Sequence, residues 1–202
     1  SGALVMRGSG VRVPEVALLF SNKKMVKSDK WIKMFGEKGM ITPFFPEKIK
    51  KGISFGLSSY GYDFTLSNEF LIFKGIGIVS PKKITKDQFE EFKGNICKIK
   101  ANNFILGKSR EYFKIPRDVL GICFGKSTYA RCGIIINVTP LEPEWEGYIT
   151  IQIANLSSVD GEVYANEGIG QVIFISGEDI CEKSYKDLSG KYDKAKGIVL
   201  PK

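Results

Sequence analysis

Gly125, Lys126, Ser127 and Arg131 have the types and spacing of residues that bind a chain of phosphate groups. Gly125 permits a tight backbone turn, and Ser127 is a good helix N-cap, so residues 127–132 are predicted to form one or two helical turns ending at a glycine. Ser127 and Arg131 are four residues apart and would share a helix face. Free amides, a hydroxyl and two cations suit an anionic oligophosphate. An ordinary basic turn is the alternative that these residues alone leave open.

Several familiar nucleotide and catalytic motifs are excluded. A P-loop needs a glycine five residues before Gly125, and Leu120 occupies that position. The chain has no histidine, which removes Ser-His triads and His-based general acid–base catalysis. No two of its four cysteines form a C-x-x-C pair, so the zinc deaminase pattern is missing. We therefore predict no zinc and no metal ligands from protein side chains.

Composition predicts one soluble globular domain. The 202 residues include 43% hydrophobic and 26% charged residues, and no apolar run could span a bilayer. The formal charge of +8 suits a polyanionic partner, either a nucleotide or a nucleic acid. Nucleic acid is the less favoured partner because no stacking platform or recognition module is visible. The cysteines read as reduced core residues, so we predict a cytoplasmic protein without a membrane partner.

The pattern of apolar residues predicts a mainly β fold, a jelly-roll or β-barrel with a short N-terminal helix and a few helical turns. Residues 1–24 look foreign to the rest and are predicted to be a poorly ordered extension, and residues 25–202 form a single domain whose last part, 177–202, is a C-terminal flap. A helix is predicted from Ser28 to Phe35. Residues 86–92 are predicted to form one or two helical turns. Strands are predicted at 64–66, 69–73, 97–99, 104–106, 111–113, 120–124, 134–138, 148–153, 162–164 and 171–175.

Alternation in residues 148–153 places polar side chains on one face of a strand. The sequence Tyr-Ile-Thr-Ile-Gln-Ile has a period of two. Thr150 and Gln152 should therefore share one face, while the isoleucines face the core.

Five motifs together resemble the deoxycytidine triphosphate (dCTP) deaminase family of the trimeric dUTPase superfamily. They are GKSTYARCGIIINVTPLEPEWEGYIT at 125–150, SYGYD at 59–63, EYFKIPRDVL at 111–120, YANEGIGQ at 164–171, and SYKD with GKY at 184–192. The resemblance implies hydrolytic deamination of dCTP to dUTP and ammonia by metal-free attack of water, as a step of dUTP biosynthesis. It also implies Mg²⁺ bound with the triphosphate, and a homotrimer whose sites combine residues of neighbouring subunits.

The resemblance assigns roles to individual positions. Ser127 and Arg131 would serve the active-site water and the triphosphate, and Lys126 would contact phosphate. Glu142 would accept a hydrogen bond from the deoxyribose 3′-hydroxyl, and Trp145 would pack near the sugar. Asp63 is typical of the family, and we expect it to support the turn at the start of its strand instead of contacting ligand. The full predicted nucleotide-binding set is Lys126, Ser127, Thr128, Tyr129, Ala130, Arg131, Glu142, Trp145, Thr150, Ile151, Gln152, Gln171, Tyr185, Lys191 and Ala195.

Two positions depart from the family pattern. The family normally has a catalytic glutamate at the position of Gln152, where it shuttles protons between water and pyrimidine; an amide can orient a water but cannot act as a general base. The family usually has a glutamine where this chain has Ala195. Gln152 could be an inactivating substitution that traps substrate, a natural change in reaction, or a loss that Glu142 compensates. The alternative functions are therefore a dUTPase-like pyrophosphohydrolase and a non-catalytic nucleotide binder.

Overall fold

The computed structural model describes residues 25–201, so the predicted extension at 1–24 lies outside the described residues. The first element is helix α1 (Asp29–Phe35), which follows Ser28 as the N-terminal pattern predicted. It continues into a π-helical turn at Gly36–Met40, which was not predicted. Its buried side chain, Ile32, packs into the hydrophobic core. No helix within residues 25–201 is long and apolar enough to cross a membrane.

β-Strands are the main regular elements of the described chain. The strands before the predicted phosphate-binding turn are β1 (Ile41–Thr42), β2 (Gly56–Ser58), β3 (Gly61–Phe73), β4 (Phe89–Lys93), β5 (Ile96–Ile99), β6 (Phe104–Lys114) and β7 (Val119–Gly125). The short helix α2 (Ser127–Ala130) follows, and then β8 (Ile134–Asn137), β9 (Glu146–Asn155), β10 (Gly161–Tyr164) and β11 (Gly168–Ser176). The mainly β architecture predicted from the sequence is confirmed.

Within the described residues the strands form one large sheet and one small one. The large sheet has the order β7-β11-β3-β6-β9-β8, with β1 added to β6 and with β2 and β4 added to β3, whereas β10 pairs with β5 alone. All of the paired strands are antiparallel. The end strands β7 and β8 also contact each other, which makes the sheet nearly closed and barrel-like. Strand β9 pairs with β6 on one side and with the end strand β8 on the other, so it is held on both sides.

Two local predictions need correction. Only Lys86–Gln88 form a helical turn, because Phe89–Lys93 pair as strand β4 with the edge of β3. The N-cap of α2 is Lys126 and not Ser127, and it makes no side-chain capping bond. Helix α2 also ends at Ala130, earlier than the predicted 127–132. A turn continues to Gly133, whose φ of 72° favours glycine and whose amide donates to the Ala130 carbonyl.

Candidate active site

Strand β9 carries Gln152 on the face predicted from its alternating sequence. Buried and half-buried residues alternate along the whole strand, with Ile149, Ile151 and Ile153 in the core. The register places Leu106 of β6 and Asn137 of β8 opposite Gln152, on its two sides. Because directly paired residues point to the same face of a sheet, this trio forms a continuous surface. The Gln152 amide forms no hydrogen bond within the described part of the chain, so it is available to a ligand.

A pocket of about 600 Å³ lies above this surface. This volume is in the usual range for small-molecule sites. Its walls come from the loop between β8 and β9, from the exposed face of β9 and from the C-terminal segment. The predicted residues that line it are Glu142, Trp145, Thr150, Gln152, Tyr185, Lys191 and Ala195. Seven predicted nucleotide-binding residues are thus brought to one cavity.

The loop wall contributes one carboxylate and one aromatic ring. Glu142 is exposed and lines the pocket, and its carboxylate makes no hydrogen bond or ion pair within residues 25–201. It is the one carboxylate among the described residues that line the pocket. Trp145 is 8% exposed and belongs to the core, and its indole N–H donates to the Tyr192 carbonyl at 3.1 Å. Trp145 is thus both a core residue and part of the pocket wall, and its contact with the sugar stays a prediction.

The C-terminal segment closes the pocket by pairing with the start of β9. Ala195 forms a parallel bridge with Gly147, and its carbonyl accepts a hydrogen bond from the Tyr148 amide at 3.0 Å. Gly147 has a φ of 155°, and a Cβ there would lie 3.0 Å from the Ala195 nitrogen, so glycine allows this close approach. Further along, the Val199 amide donates to the Thr150 hydroxyl at 3.1 Å. The segment predicted as a flap thus lies against the site.

Helix α2 does not line this pocket in the single chain. The side chains of Ser127, Thr128, Ala130 and Arg131 are exposed, and an Arg131 guanidinium nitrogen donates to the Ser127 carbonyl at 3.0 Å, which confirms that the two residues share a face. Tyr129 is buried instead, and its hydroxyl accepts a hydrogen bond from the Tyr164 amide; burial raises its pKa to about 12. Ile151 is likewise a core residue, which leaves only its backbone for a ligand.

Lys126 and Gln171 both contact the buried carboxylate of Asp63. The Lys126 ammonium lies 2.8 Å from one Asp63 oxygen, and the Lys48 ammonium lies 3.0 Å from the same oxygen. The Gln171 amide donates at 2.9 Å to the other Asp63 oxygen and at 2.9 Å to the Ser58 hydroxyl. Asp63 thus joins β3, β11 and the residue before α2. Its structural role matches the expectation, whereas the phosphate contact of Lys126 and the nucleotide contact of Gln171 stay predictions.

Another polar cluster lies beside the pocket and was missed by the sequence reasoning. Arg117 pairs with Glu144 and with Asp187, while the buried Ser184 donates to Glu144 at 2.6 Å. The pKa of Glu144 is lowered mainly by the hydrogen bond from the Ser184 hydroxyl and, to a lesser extent, by Arg117. The pKa of Asp187 is lowered mainly by the hydrogen bond from the Ser184 amide and, to a lesser extent, by Arg117. Arg117 belongs to the IPRDVL motif, and Ser184 and Asp187 belong to the SYKD motif. Nothing in the spacing of the two motifs shows that these side chains come into contact.

No group of three or more Cys, Asp or Glu residues among residues 25–201 could hold a metal ion.

Comparison with known proteins identifies the family of this chain. A family profile described as dCTP deaminase-like matches residues 26–177. A dCTP deaminase of Methylococcus capsulatus is 53% identical over 185 residues, which cover 88% of this chain and 98% of the relative. One of Campylobacter hominis is 54% identical over 181 residues, covering 88% and 95% of the two chains.

Among solved structures, the Agrobacterium tumefaciens 2′-deoxycytidine 5′-triphosphate deaminase superimposes with a TM-score of 0.61 at 12% identity. The match covers 76% of this chain and 48% of that longer chain, and at this identity it supports the fold alone. The length and identity of the sequence matches carry the assignment further: this chain belongs to the dCTP deaminase-like family.

Proposed function

We propose that this protein hydrolyses dCTP to dUTP and ammonia, as a step of dUTP biosynthesis. The observation that carries the proposal is the unpartnered Gln152 amide, which faces a 600 Å³ pocket beside Glu142 and Trp145. The family relationship and the names of the curated relatives support the substrate. Cytosine would lie against Gln152, and the deoxyribose would lie between Glu142 and Trp145.

The chemistry requires water to attack C4 of the cytosine ring while ammonia leaves. A general base must take a proton from that water, and a general acid must deliver a proton to the cytosine ring. Gln152 can hold the water or the cytosine edge through its amide, but it cannot exchange protons at neutral pH. Turnover should therefore be slow with Gln152 present. Glu142 is the one carboxylate of the described pocket lining that could act as the proton shuttle instead.

Phosphate binding in this proposal comes from a neighbouring subunit. Ser127 and Arg131 do not line the Gln152 pocket in one chain, so a site containing all three needs a second copy. We therefore propose a homotrimer, with Mg²⁺ bound to the triphosphate and not to protein carboxylates. Light scattering at micromolar concentration should give three times the chain mass of 22.5 kDa. A monomer that still binds dCTP would contradict the composite site.

The lack of a carboxylate at position 152 favours one second candidate. Cleavage between the α and β phosphates depends on metal and phosphate positioning, so it could proceed without a proton shuttle at the base. The product would be a nucleoside monophosphate with pyrophosphate instead of dUTP with ammonia.

One product assay separates these functions. The protein is incubated with dCTP, dUTP and modified pyrimidine deoxynucleotides in Mg²⁺, and the products are identified by mass spectrometry. We expect dUTP and ammonia from dCTP. Pyrophosphate release would establish the second candidate instead, and tight dCTP binding without any product would establish a non-catalytic binder. The variant Gln152→Ala is the matched control, since it keeps the pocket and removes the amide.

A further inference from the structure

Arg117 lies outside the pocket but contacts the two chain segments that form opposite walls of it. One guanidinium nitrogen pairs with Glu144 in the loop before β9. The other pairs with Asp187 at 2.8 Å and donates to the Glu182 carbonyl at 3.1 Å, both in the C-terminal segment. A planar guanidinium suits this arrangement because its donors diverge in a fixed fork. Arg117 therefore bridges the loop wall and the flap wall.

Ser184 completes the bridge from the flap side. It is 1% exposed, and its hydroxyl donates to Glu144 at 2.6 Å while its amide donates to Asp187 at 3.0 Å. The next residue, Tyr185, donates its amide to the Pro143 carbonyl at 3.0 Å and lines the pocket. The cluster thus fixes the point at which the flap meets the pocket, one residue away from a predicted nucleotide contact.

The loop side is held in an unusual backbone conformation. Glu144 has a φ of 60°, a region that residues other than glycine rarely adopt unless their surroundings hold them there. Glu144 lies between Glu142 and Trp145, both of which line the pocket. Its two polar partners, Arg117 and Ser184, are therefore placed to keep the loop in the form that presents these side chains.

We propose that Arg117 is a positioning residue for nucleotide binding, which acts through Glu144 and Asp187 to hold the Glu142–Trp145 loop and the Tyr185 segment together around the deoxyribose. This inference rests on the proposed function for the identity of the ligand. Arg117 itself touches neither the pocket nor the reacting atoms. Its loss should therefore weaken dCTP binding and leave the chemical step nearly unchanged, which appears as a raised KM at constant kcat.

The experiment measures dCTP affinity by calorimetry for the intact protein and three variants. Arg117→Met removes the guanidinium and keeps the side-chain length, and we expect about tenfold weaker dCTP binding. A single exposed ion pair contributes little, but the contacts of Arg117 with Glu144 and Asp187 belong to one network and are lost together. Arg117→Lys should recover part of the loss, since an ammonium keeps one ion pair but cannot form the fork. Lys183→Met is the matched control: Lys183 is exposed in the same segment, and its side chain makes no hydrogen bond or ion pair within the described residues.

Equal affinities of Arg117→Met and Lys183→Met would overturn the proposal. Should Arg117→Met fold poorly, Asp187→Asn breaks the same bridge from the flap side and should weaken binding by a similar factor; an unchanged affinity there would also overturn it. A merely structural role would lower Tm in Arg117→Met without raising the KM of the folded fraction. If the unaltered protein does not bind dCTP at all, the proposed function fails, and that outcome is distinct from the failure of Arg117 alone.

Discussion

The Gln152 pocket and the Asp63 network contain predicted nucleotide contacts in opposite states. In the pocket, the side chains of Gln152 and Glu142 make no hydrogen bond within residues 25–201, and their polar atoms are available to a ligand. In the network, Lys126 and Gln171 are both engaged by the buried Asp63. Since buried polar groups are costly without partners, the network side chains need Asp63 whenever no phosphate is present. The difference separates groups reserved for substrate from groups that are first of all structural.

The largest expected effect belongs to Gln152→Glu in the pocket. A carboxylate at this position can accept and donate protons, so ammonia release from dCTP should increase by about 10²–10⁴-fold. Steady-state kinetics on both proteins measure the ratio. Glu142→Gln in the Gln152→Glu background is the control, and it should keep most of the gain if Glu142 serves the sugar. An unchanged rate in Gln152→Glu would mean that Gln152 does not limit deamination.

The second prediction concerns Asp63→Asn in the network. The asparagine keeps the shape but removes the charge that faces Lys126 and Lys48, so the free energy of unfolding should fall by roughly 3 kcal/mol. Denaturant unfolding checks the loss, and Lys50→Met, an exposed change on the neighbouring segment, is the control. If stability stays at the wild-type level, the network is not structural, and the contrast with the pocket disappears.

The smallest expected effect is a pH dependence of stability that comes from Glu111, a second buried carboxylate in addition to Asp63. Glu111 is fully buried, accepts hydrogen bonds from the Thr65 amide and hydroxyl, and forms no ion pair within the described residues. Burial raises its pKa from 4.5 to about 7. Between pH 4.5 and about 7 the folded protein therefore binds more protons than the unfolded chain. The contribution of Glu111 to the free energy of unfolding is largest below about pH 4.5 and is lost as the pH rises to about 7.

This contribution should amount to about 2–3 kcal/mol across the window. The measurement is the free energy of unfolding at intervals from pH 4.5 to 7.5 for the unaltered protein and for Glu111→Gln, which stays neutral throughout. The curve of the variant should be flatter in this range. Parallel curves would show that Glu111 does not titrate there.

Local patterns predicted part of the fold well. The alternation in residues 148–153 set the faces of β9, and the helix from Asp29 to Phe35 followed its own polar and apolar spacing. Strand β4 was missed because Phe89–Lys93 become strand by pairing with Glu69–Phe73, a partner remote in sequence. The predicted strands at 64–66 and 69–73 form one long β3, because both parts pair with β6, which is distant in sequence. The pairing has an irregularity between Leu66 and Phe70.

The candidate site was predicted in its members more than in its arrangement. Glu142, Trp145, Gln152, Tyr185 and Ala195 line one pocket, and their contacts with a nucleotide stay predictions. The Arg117 bridge was not foreseen, because it depends on how residues 117, 144 and 187 come together in three dimensions. Residue spacing cannot encode such a contact when each member belongs to a different loop.

The most direct test of the account is a crystal structure of the assembled protein with dCTP and Mg²⁺, since slow turnover should preserve the substrate. The account predicts cytosine within about 3 Å of the Gln152 amide and the deoxyribose between Glu142 and Trp145. It also predicts the triphosphate on Ser127 and Arg131 of a neighbouring subunit. A nucleotide bound away from strand β9, with no part of it in this pocket, would contradict the central claim.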